Sequence, residues 1–208
     1  MGKILKFPTE AAKFGYKRVK KRKVTEHPGQ LQLLFPALPA AILSLTGSPG
    51  LFEQALMLDE RGDGQAAALY IRAIAGQDCV AEAYCNLGIL ESQKGETAKA
   101  FDCFTISLKH NPRQTEAHYN LGNLYFELND FRLAQIHYEM AAEVDASFAN
   151  VFFNLALVQS INKDLAAAIK SLTQYQQLAS QEEARNTEQF LDTLRKSLVE
   201  TKNSQVKV

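Results

Sequence analysis

Three stretches spaced 34 residues apart decide the fold of this chain: AEAYCNLGIL at 81–90, TEAHYNLGNL at 115–124 and ANVFFNLALV at 149–158. Each stretch has an asparagine, a leucine and then a small residue at the same three positions. A constant spacing of this size indicates that one supersecondary unit recurs along the chain. The sequence therefore predicts a stack of similar units.

A small residue and a large apolar residue, four positions apart, follow each of these stretches. The pairs are Ala100 and Phe104, Ala134 and Tyr138, and Ala168 and Leu172. A spacing of four places both residues on one face of a helix. The small residue lets two antiparallel helices approach closely, and the large one fills the space beside the contact. Each unit is therefore predicted to be a helical hairpin that buries its faces only by stacking on its neighbours.

This pattern resembles the tetratricopeptide repeat (TPR) family, most clearly from residue 81 to about residue 180, with a weaker copy beginning at Phe52. The resemblance implies an all-α fold, a right-handed α-solenoid of about four TPR hairpins plus a C-terminal capping helix. We expect a basic, proline-containing N-terminal arm at 1–49 and a solenoid at 50–180, with repeats at about 50–80, 81–114, 115–148 and 149–180. A capping helix at 181–201 and a tail at 202–208 complete the expected organisation.

Composition favours a soluble protein. Of the 208 residues, 46% are hydrophobic and 22% are charged, close to the average for globular proteins. No apolar run reaches the roughly 20 residues that a membrane-spanning helix needs. The start, MGKILKFPTE, has no apolar segment of the kind found in secretory signals. We expect a cytoplasmic protein without a membrane span.

Catalytic and metal-binding patterns are missing from the sequence. The three cysteines and four histidines do not have metal-ligand spacing, and the eleven glycines form no phosphate-binding loop. No nucleophile, base and orienting group can be assembled from the motifs. We therefore expect neither an enzyme nor a bound cofactor or metal.

Charge is divided unevenly along the chain. Residues 1–29 hold nine Lys/Arg against two Glu, a net +7, and residues 30–208 hold fourteen against twenty-one Asp/Glu, a net −7. We expect the arm and the body to attract one another, or the arm to bind an outside anion. Nucleic acid, anionic lipid, an acidic protein surface, a localisation signal and a solvated tail all remain open for the arm. Its basic residues are Lys17, Arg18, Lys20, Lys21, Arg22 and Lys23.

A second motif lies at residues 30–35, QLQLLF, which resembles the short segment that docks bacterial replication and repair proteins on the sliding clamp. The alternative is that apolar residues from this region cover the end of the first hairpin. Those residues are Leu33, Phe35, Leu38, Ile42 and Leu43.

The TPR resemblance also implies a concave groove formed by the first helices of the hairpins. The expected peptide-binding residues are Glu82, Asn86, Glu116, Tyr119, Asn120, Asn123, Phe126, Phe153, Asn154 and Leu157. Their chemistry suits an extended peptide, because amides pair with a peptide backbone and aromatic rings contact side chains. We expect a protein–protein interaction scaffold that binds a partner protein or peptide. The alternative is a nucleic-acid-associated accessory factor that uses the basic arm.

The three recurring asparagines have two interpretations. They are similar to the asparagine ladder in the repeat domain of the O-linked N-acetylglucosamine transferases, which implies pairing with a bound backbone. Alternatively, they pair with neighbouring helices. A clamp for the C-terminal carboxylate of heat-shock chaperones is not expected, because the matching positions lack Lys and Arg. The identity of the partner and the oligomeric state stay open.

Overall fold

The computed structural model describes residues 15–20 and 49–205, with side chains described up to residue 203. Every regular element in these residues is an α-helix. The helices are α1 Leu51–Glu60, α2 Ala66–Ala75, α3 Val80–Gln93, α4 Thr97–His110, α5 Thr115–Glu127, α6 Phe131–Val144, α7 Ala149–Ile161, α8 Leu165–Leu178, α9 Gln181–Asn186 and α10 Glu188–Gln205. The QLQLLF motif, the apolar residues at 33–43 and the basic residues at 21–23 lie outside the described residues.

The helices form four hairpins that stack in chain order. Helices α1 and α2, α3 and α4, α5 and α6, and α7 and α8 pack as antiparallel pairs, and each second helix also packs on the first helix of the next pair. The predicted all-α, right-handed solenoid of four hairpins with a C-terminal helical cap is confirmed. The first helices, α1, α3, α5 and α7, line one surface, which we call the groove.

Small residues in the first helices allow the close helix approach that the sequence predicted. A Cβ atom on Gly122 would lie 2.5 Å from the ring of Tyr138, and one on Gly88 would lie 2.8 Å from the ring of Phe104. Separations below 3 Å do not occur between real Cβ atoms and ring carbons. The large residue of α4 or α6 therefore occupies the space that the glycine leaves in the preceding helix.

Two helices, rather than one, follow the fourth hairpin. The Ser180 hydroxyl accepts a hydrogen bond from the Glu183 N–H at 3.3 Å, and the Glu183 carboxylate accepts one from the Ser180 N–H at 3.1 Å. This capping box starts α9, which ends at Asn186 before α10 begins at Glu188. Helix α10 packs on α8 through a buried cluster. The cluster contains Leu172, Tyr175, Phe190, Leu191 and Leu194.

A histidine pair packs between α5 and α6. Nδ1 of His118 lies 3.2 Å from Nδ1 of His137, and Nε2 of His118 lies 3.1 Å from the Pro112 carbonyl. That carbonyl can only accept, so neutral His118 donates from Nε2 and its Nδ1 accepts from the Nδ1–H of His137. Tyr125 stacks on His137 with ring centroids 5.3 Å apart. Burial, together with the charge that His118 can carry, lowers the pKa of His137 to about 4.

The described residues form neither a membrane-spanning helix nor a metal-ligand cluster. No helix within 15–20 and 49–205 is both long and apolar enough to cross a bilayer. Over the same residues, no three His, Cys, Asp or Glu side chains come together as metal ligands would.

Candidate peptide-binding groove

Residues 15–20 of the basic arm lie in the groove, across α5 and α3. The Lys17 N–H donates to Asn120 Oδ1 at 2.9 Å, and Asn120 Nδ2 donates back to the Lys17 carbonyl at 3.1 Å. The Val19 N–H donates to Asn86 Oδ1 at 2.8 Å, and Asn86 Nδ2 donates to the Val19 carbonyl at 3.1 Å. Residues two apart on an extended backbone face the same side. Two asparagines one repeat apart therefore hold every second residue of the segment.

The third asparagine of the series behaves differently. Asn154 Nδ2 donates to the hydroxyls of Tyr119 and Tyr138, both at 3.4 Å, and to Asn123 Oδ1 at 3.2 Å. Its Oδ1 is buried and has no hydrogen-bond partner in the described part of the chain. The Tyr138 hydroxyl also donates to Asn123 Oδ1, at 2.8 Å. Asn154 therefore ties α5, α6 and α7 together.

The asparagines thus make contacts of two kinds, with the backbone of residues 15–20 and with neighbouring helices. Asn154 pairs with neighbouring helices. Asn120 and Asn86 pair with the backbone of residues 17 and 19 and also with a neighbouring helix, because Asn120 Nδ2 donates to Cys85 Sγ of α3 at 3.6 Å and Asn86 Nδ2 donates to the Tyr70 hydroxyl of α2 at 3.1 Å. All three amides are buried.

An ion pair fixes Arg18 at the end of the groove. Its Nε and Nη2 atoms donate to the two oxygens of Asp59 at 2.7 and 2.8 Å. The Asp59 side chain is 1% exposed, and its Oδ2 also accepts from the Tyr70 hydroxyl at 3.2 Å. Burial, with the nearby Asp59 charge, raises the pKa of Tyr70, so this hydroxyl keeps its proton. The bidentate, charge-assisted geometry is the strong form of this interaction.

Val19 and Tyr16 supply the apolar contacts of the segment. Val19 is 5% exposed and packs in a cluster with Cys85, Ile89 and Leu121. Burial of a valine side chain contributes about 1.5–3 kcal/mol. The ring of Tyr16 stacks against Phe104 with centroids 6.5 Å apart.

The Tyr16 hydroxyl is hydrogen-bonded to polar groups at the far edge of the groove. It shares a hydrogen bond with the Ser92 hydroxyl and donates to the Glu127 carboxylate at 3.3 and 3.4 Å. Partial burial raises the pKa of Glu127, and the Tyr16 hydrogen bond offsets part of that effect. The Tyr16 hydroxyl thus bridges the ends of α3 and α5.

Lysines of the segment lie closer to solvent. Lys17 Nζ is 5.0 Å from the centroid of the Phe148 ring, in a pocket of about 340 Å³ that Glu116 and Asp145 also line. Lys20 Nζ is 3.0 Å from Glu60 Oε1, and both side chains are largely exposed. An exposed pair of this kind contributes less than about 1 kcal/mol. The ion pairs of Arg18 and Lys20 are the arm-to-body attraction that the charge division predicted.

The remaining predicted groove residues have varied surroundings. Phe153 and Leu157 are buried in the cluster between α7, α8 and α10. The ring centroids of Phe126 and Phe131 lie 5.3 Å apart. Burial raises the pKa of the Tyr119 hydroxyl to about 12. Glu82 is half-buried.

Sequence reasoning placed Glu127 on the groove but missed the groove residues Asp59, Glu60 and Ser92. These three lie at or near the C-terminal ends of α1 and α3. The −7 charge of the body was a signal that acidic partners exist, but it did not indicate their positions.

Similar proteins agree with this architecture. The family model described as "Tetratricopeptide repeat" matches residues 85–134 and 119–183. Human Tetratricopeptide repeat protein 6 is 26% identical over 110 residues, which are 53% of this chain and 21% of that protein. The matched region is therefore about a fifth of the human relative.

Two solved structures have a similar fold. The first TPR of Spaghetti (RPAP3), bound to the HSP90 peptide SRMEEVD, has a TM-score of 0.52 at 18% identity and covers 57% of this chain and 93% of its own. YrrB, described as a TPR protein with an unusual peptide-binding site, has a TM-score of 0.54 at 20% identity and covers 62% of this chain and 66% of its own. The recurring hairpins, the family-model match and these folds agree, and the chain belongs to the tetratricopeptide repeat family.

Proposed function

We propose that this protein is an interaction scaffold that binds an extended segment of a partner protein along the groove. The observation that carries the proposal is the two-point pairing of Asn86 and Asn120 with the backbones of Val19 and Lys17. Each amide offers one donor and one acceptor, which is the complement of one residue in an extended chain. The same side chains would pair with the backbone of an external segment in the same register.

Similar structures support this proposal at the level of the fold. The RPAP3 repeat holds an HSP90 peptide, and YrrB is described with a peptide-binding site. The groove of this chain holds Asn86 and Asn120 together with the acidic Asp59 and Glu116. We therefore propose a partner other than an acidic chaperone tail.

The alternative role with nucleic acid gains no support from the contacts of residues 15–20. Arg18 and Lys20 are paired with Asp59 and Glu60, so two of the basic residues already have carboxylate partners.

We also propose a cytoplasmic location, since Cys85 and Cys103 are thiols rather than members of a disulfide.

A peptide-binding measurement tests the scaffold proposal. The full chain carrying Tyr16→Ala and Val19→Asp would release the arm, because the valine pocket cannot solvate a carboxylate. A fluorescein-labelled peptide of residues 13–23, KFGYKRVKKRK, should bind this variant, with fluorescence anisotropy as the readout. Adding Asn120→Ala should weaken binding by about tenfold or more, since two hydrogen bonds of about 1 kcal/mol each are lost.

Asn162→Ala is the matched control, because Asn162 is exposed at the end of α7 and donates to Gln135 at 2.7 Å, away from the arm. It should leave the affinity for the peptide unchanged. Equal affinities for the Asn120→Ala and Asn162→Ala variants would contradict the proposed site.

A further inference from the structure

Asp59 makes the groove selective for arginine. Its side chain is 1% exposed while it accepts two hydrogen bonds from the Arg18 guanidinium and one from the Tyr70 hydroxyl. A lysine offers a compact point charge and cannot reproduce the planar two-bond contact. If the bound segment had no cation at this position, the Asp59 carboxylate would lose both guanidinium hydrogen bonds and keep the one from the Tyr70 hydroxyl. The site therefore favours a segment with arginine at this position.

The next position selects a small aliphatic side chain. Val19 is buried against Cys85, Ile89 and Leu121, while its backbone is paired with Asn86. A charged residue there would be desolvated without a partner. A larger side chain would have to displace the surrounding residues, which are closely packed.

The asparagine spacing fixes the register in which these side chains are read. Asn120 holds residue 17 and Asn86 holds residue 19, so the residue between them is the one that reaches Asp59. Residue 16 then lies at the Ser92 and Glu127 edge, and residue 20 lies beside Glu60. A one-residue slip would move the arginine away from Asp59 and place a charge in the valine pocket.

We propose that residues 16–20 are a resident occupant of the groove, and that a partner enters by displacing them with a segment of the same pattern. That pattern is an aromatic residue, any residue, arginine, a small aliphatic residue and lysine. The partner is thus a protein with an exposed, extended basic segment of this kind. The inference rests on the proposed function, because it requires that the groove binds segments supplied from outside.

Attachment to the solenoid gives the resident segment an advantage. The segment and the solenoid are joined through residues 21–48 of the same chain. Tethered ligands commonly act at an effective concentration on the order of 1 mM. Suppose that a free peptide of the same sequence binds an open groove with a Kd of about 10 μM. Competition from the resident segment would then raise the apparent Kd of the free peptide by about 100-fold, the ratio of the effective concentration to that Kd. Partners would therefore need a better sequence, a high local concentration or a second contact.

The test compares full-length wild-type protein with Arg18→Ala, which weakens the resident segment and leaves the groove intact. The probe is the labelled 13–23 peptide, and anisotropy is the readout. We expect the Arg18→Ala protein to bind the probe at least tenfold more tightly than wild type does. Arg72→Ala, an exposed arginine on α2, is the matched control and should bind the probe as wild type does.

A second pair of measurements tests the arginine preference. A probe peptide with alanine in place of the arginine that corresponds to Arg18, and with the arginine corresponding to Arg22 kept, should bind the Arg18→Ala protein at least tenfold more weakly than the original probe. Adding Asp59→Asn to the protein should reduce this difference to about twofold or less, because the carboxylate that reads the guanidinium is gone. Equal binding of the two probes to the Arg18→Ala protein would overturn the proposed selectivity.

The remaining outcomes separate this inference from the proposed function. If wild type and Arg18→Ala bind the probe with equal affinity, the segment is not a resident competitor, and the scaffold proposal survives. If the arm-released Tyr16→Ala/Val19→Asp protein does not bind the probe, the scaffold proposal itself fails. A wild-type dimer in light scattering that Arg18→Ala dissociates would place the segment in the groove of a second copy, and would overturn self-occupancy within one chain.

Discussion

Replacing Asn120 by alanine should loosen the arm more than it destabilises the solenoid. The side chain exchanges two hydrogen bonds with the Lys17 backbone, at 2.9 and 3.1 Å. At about 1 kcal/mol each, their loss should weaken the seating of the arm by about 2 kcal/mol. That energy corresponds to about a 30-fold change in the equilibrium between seated and released arm. When the arm is released the groove side of this position meets water, so the cost to the unfolding free energy of the solenoid should be smaller.

Amide hydrogen exchange by NMR measures this effect. The Val19 N–H is the reporter, because its acceptor Asn86 is left in place. Its exchange should accelerate by about 10- to 30-fold in Asn120→Ala if the segment is released as a unit. Asn154→Ala is the contrast, since its donors and acceptors lie on neighbouring helices. It should lower the unfolding free energy by about 1–3 kcal/mol and change Val19 exchange little.

An unchanged Val19 exchange rate in Asn120→Ala would refute the reasoning, because the two asparagines would then not hold the segment cooperatively. A large acceleration in Asn154→Ala, equal to that in Asn120→Ala, would also refute the distinction between the two positions.

Three further predictions concern packing, pH and salt. Gly122→Ala should lower the unfolding free energy by about 2 kcal/mol, because the added Cβ would lie 2.5 Å from the Tyr138 ring. Denaturant titration measures this change, and the control is Gly64→Ala, whose Cβ would meet open space. The folded-state pKa of His137 is about 4, so the unfolded chain binds more protons between about pH 6.5 and 4, and stability should fall as pH drops through that window. The unfolding free energy should fall by an amount on the order of 2 kcal/mol across this window, and by less in His137→Gln. Equal pH profiles of stability for wild type and His137→Gln would argue against this role of His137. Raising NaCl from about 0.05 to 0.5 M should accelerate Val19 exchange because it screens the charges that hold the arm, and no salt dependence would contradict that contribution.

Much of the fold was predictable because its determinants are local and recur. The 34-residue period, the small residues at Gly88 and Gly122 and the large residues four positions after a small one indicate the same hairpin each time. The weaker first copy was also interpreted correctly as a hairpin, since α1 and α2 pack as the later pairs do. A solenoid can be predicted from its sequence because each repeat contacts only its neighbours, so the same local pattern specifies the same hairpin each time.

The groove was predictable only in part. Asn86, Asn120 and Asn154 are equivalent in the repeat, yet two hold the arm and the third binds neighbouring helices. Their difference depends on what each amide meets in space: Asn154 faces Asn123 and the hydroxyls of two tyrosines. A repeat pattern gives the position of a side chain along its helix, but it does not give the partner that completes its hydrogen bonds.

By itself, the sequence determined the helical hairpins, their number and the opposite charges of arm and body. Only the tertiary structure decided where residues 15–20 lie, because their contacts join residues far apart in the chain. Arg18 and Asp59 are separated by 41 positions, Val19 and Asn86 by 67, and Lys17 and Asn120 by 103. Net charge predicts attraction without choosing a partner, since Coulomb forces act over about 10 Å and have no directional preference. The choice comes from the asparagine spacing, the valine pocket and the buried carboxylate, which exist as a site only after the hairpins have stacked.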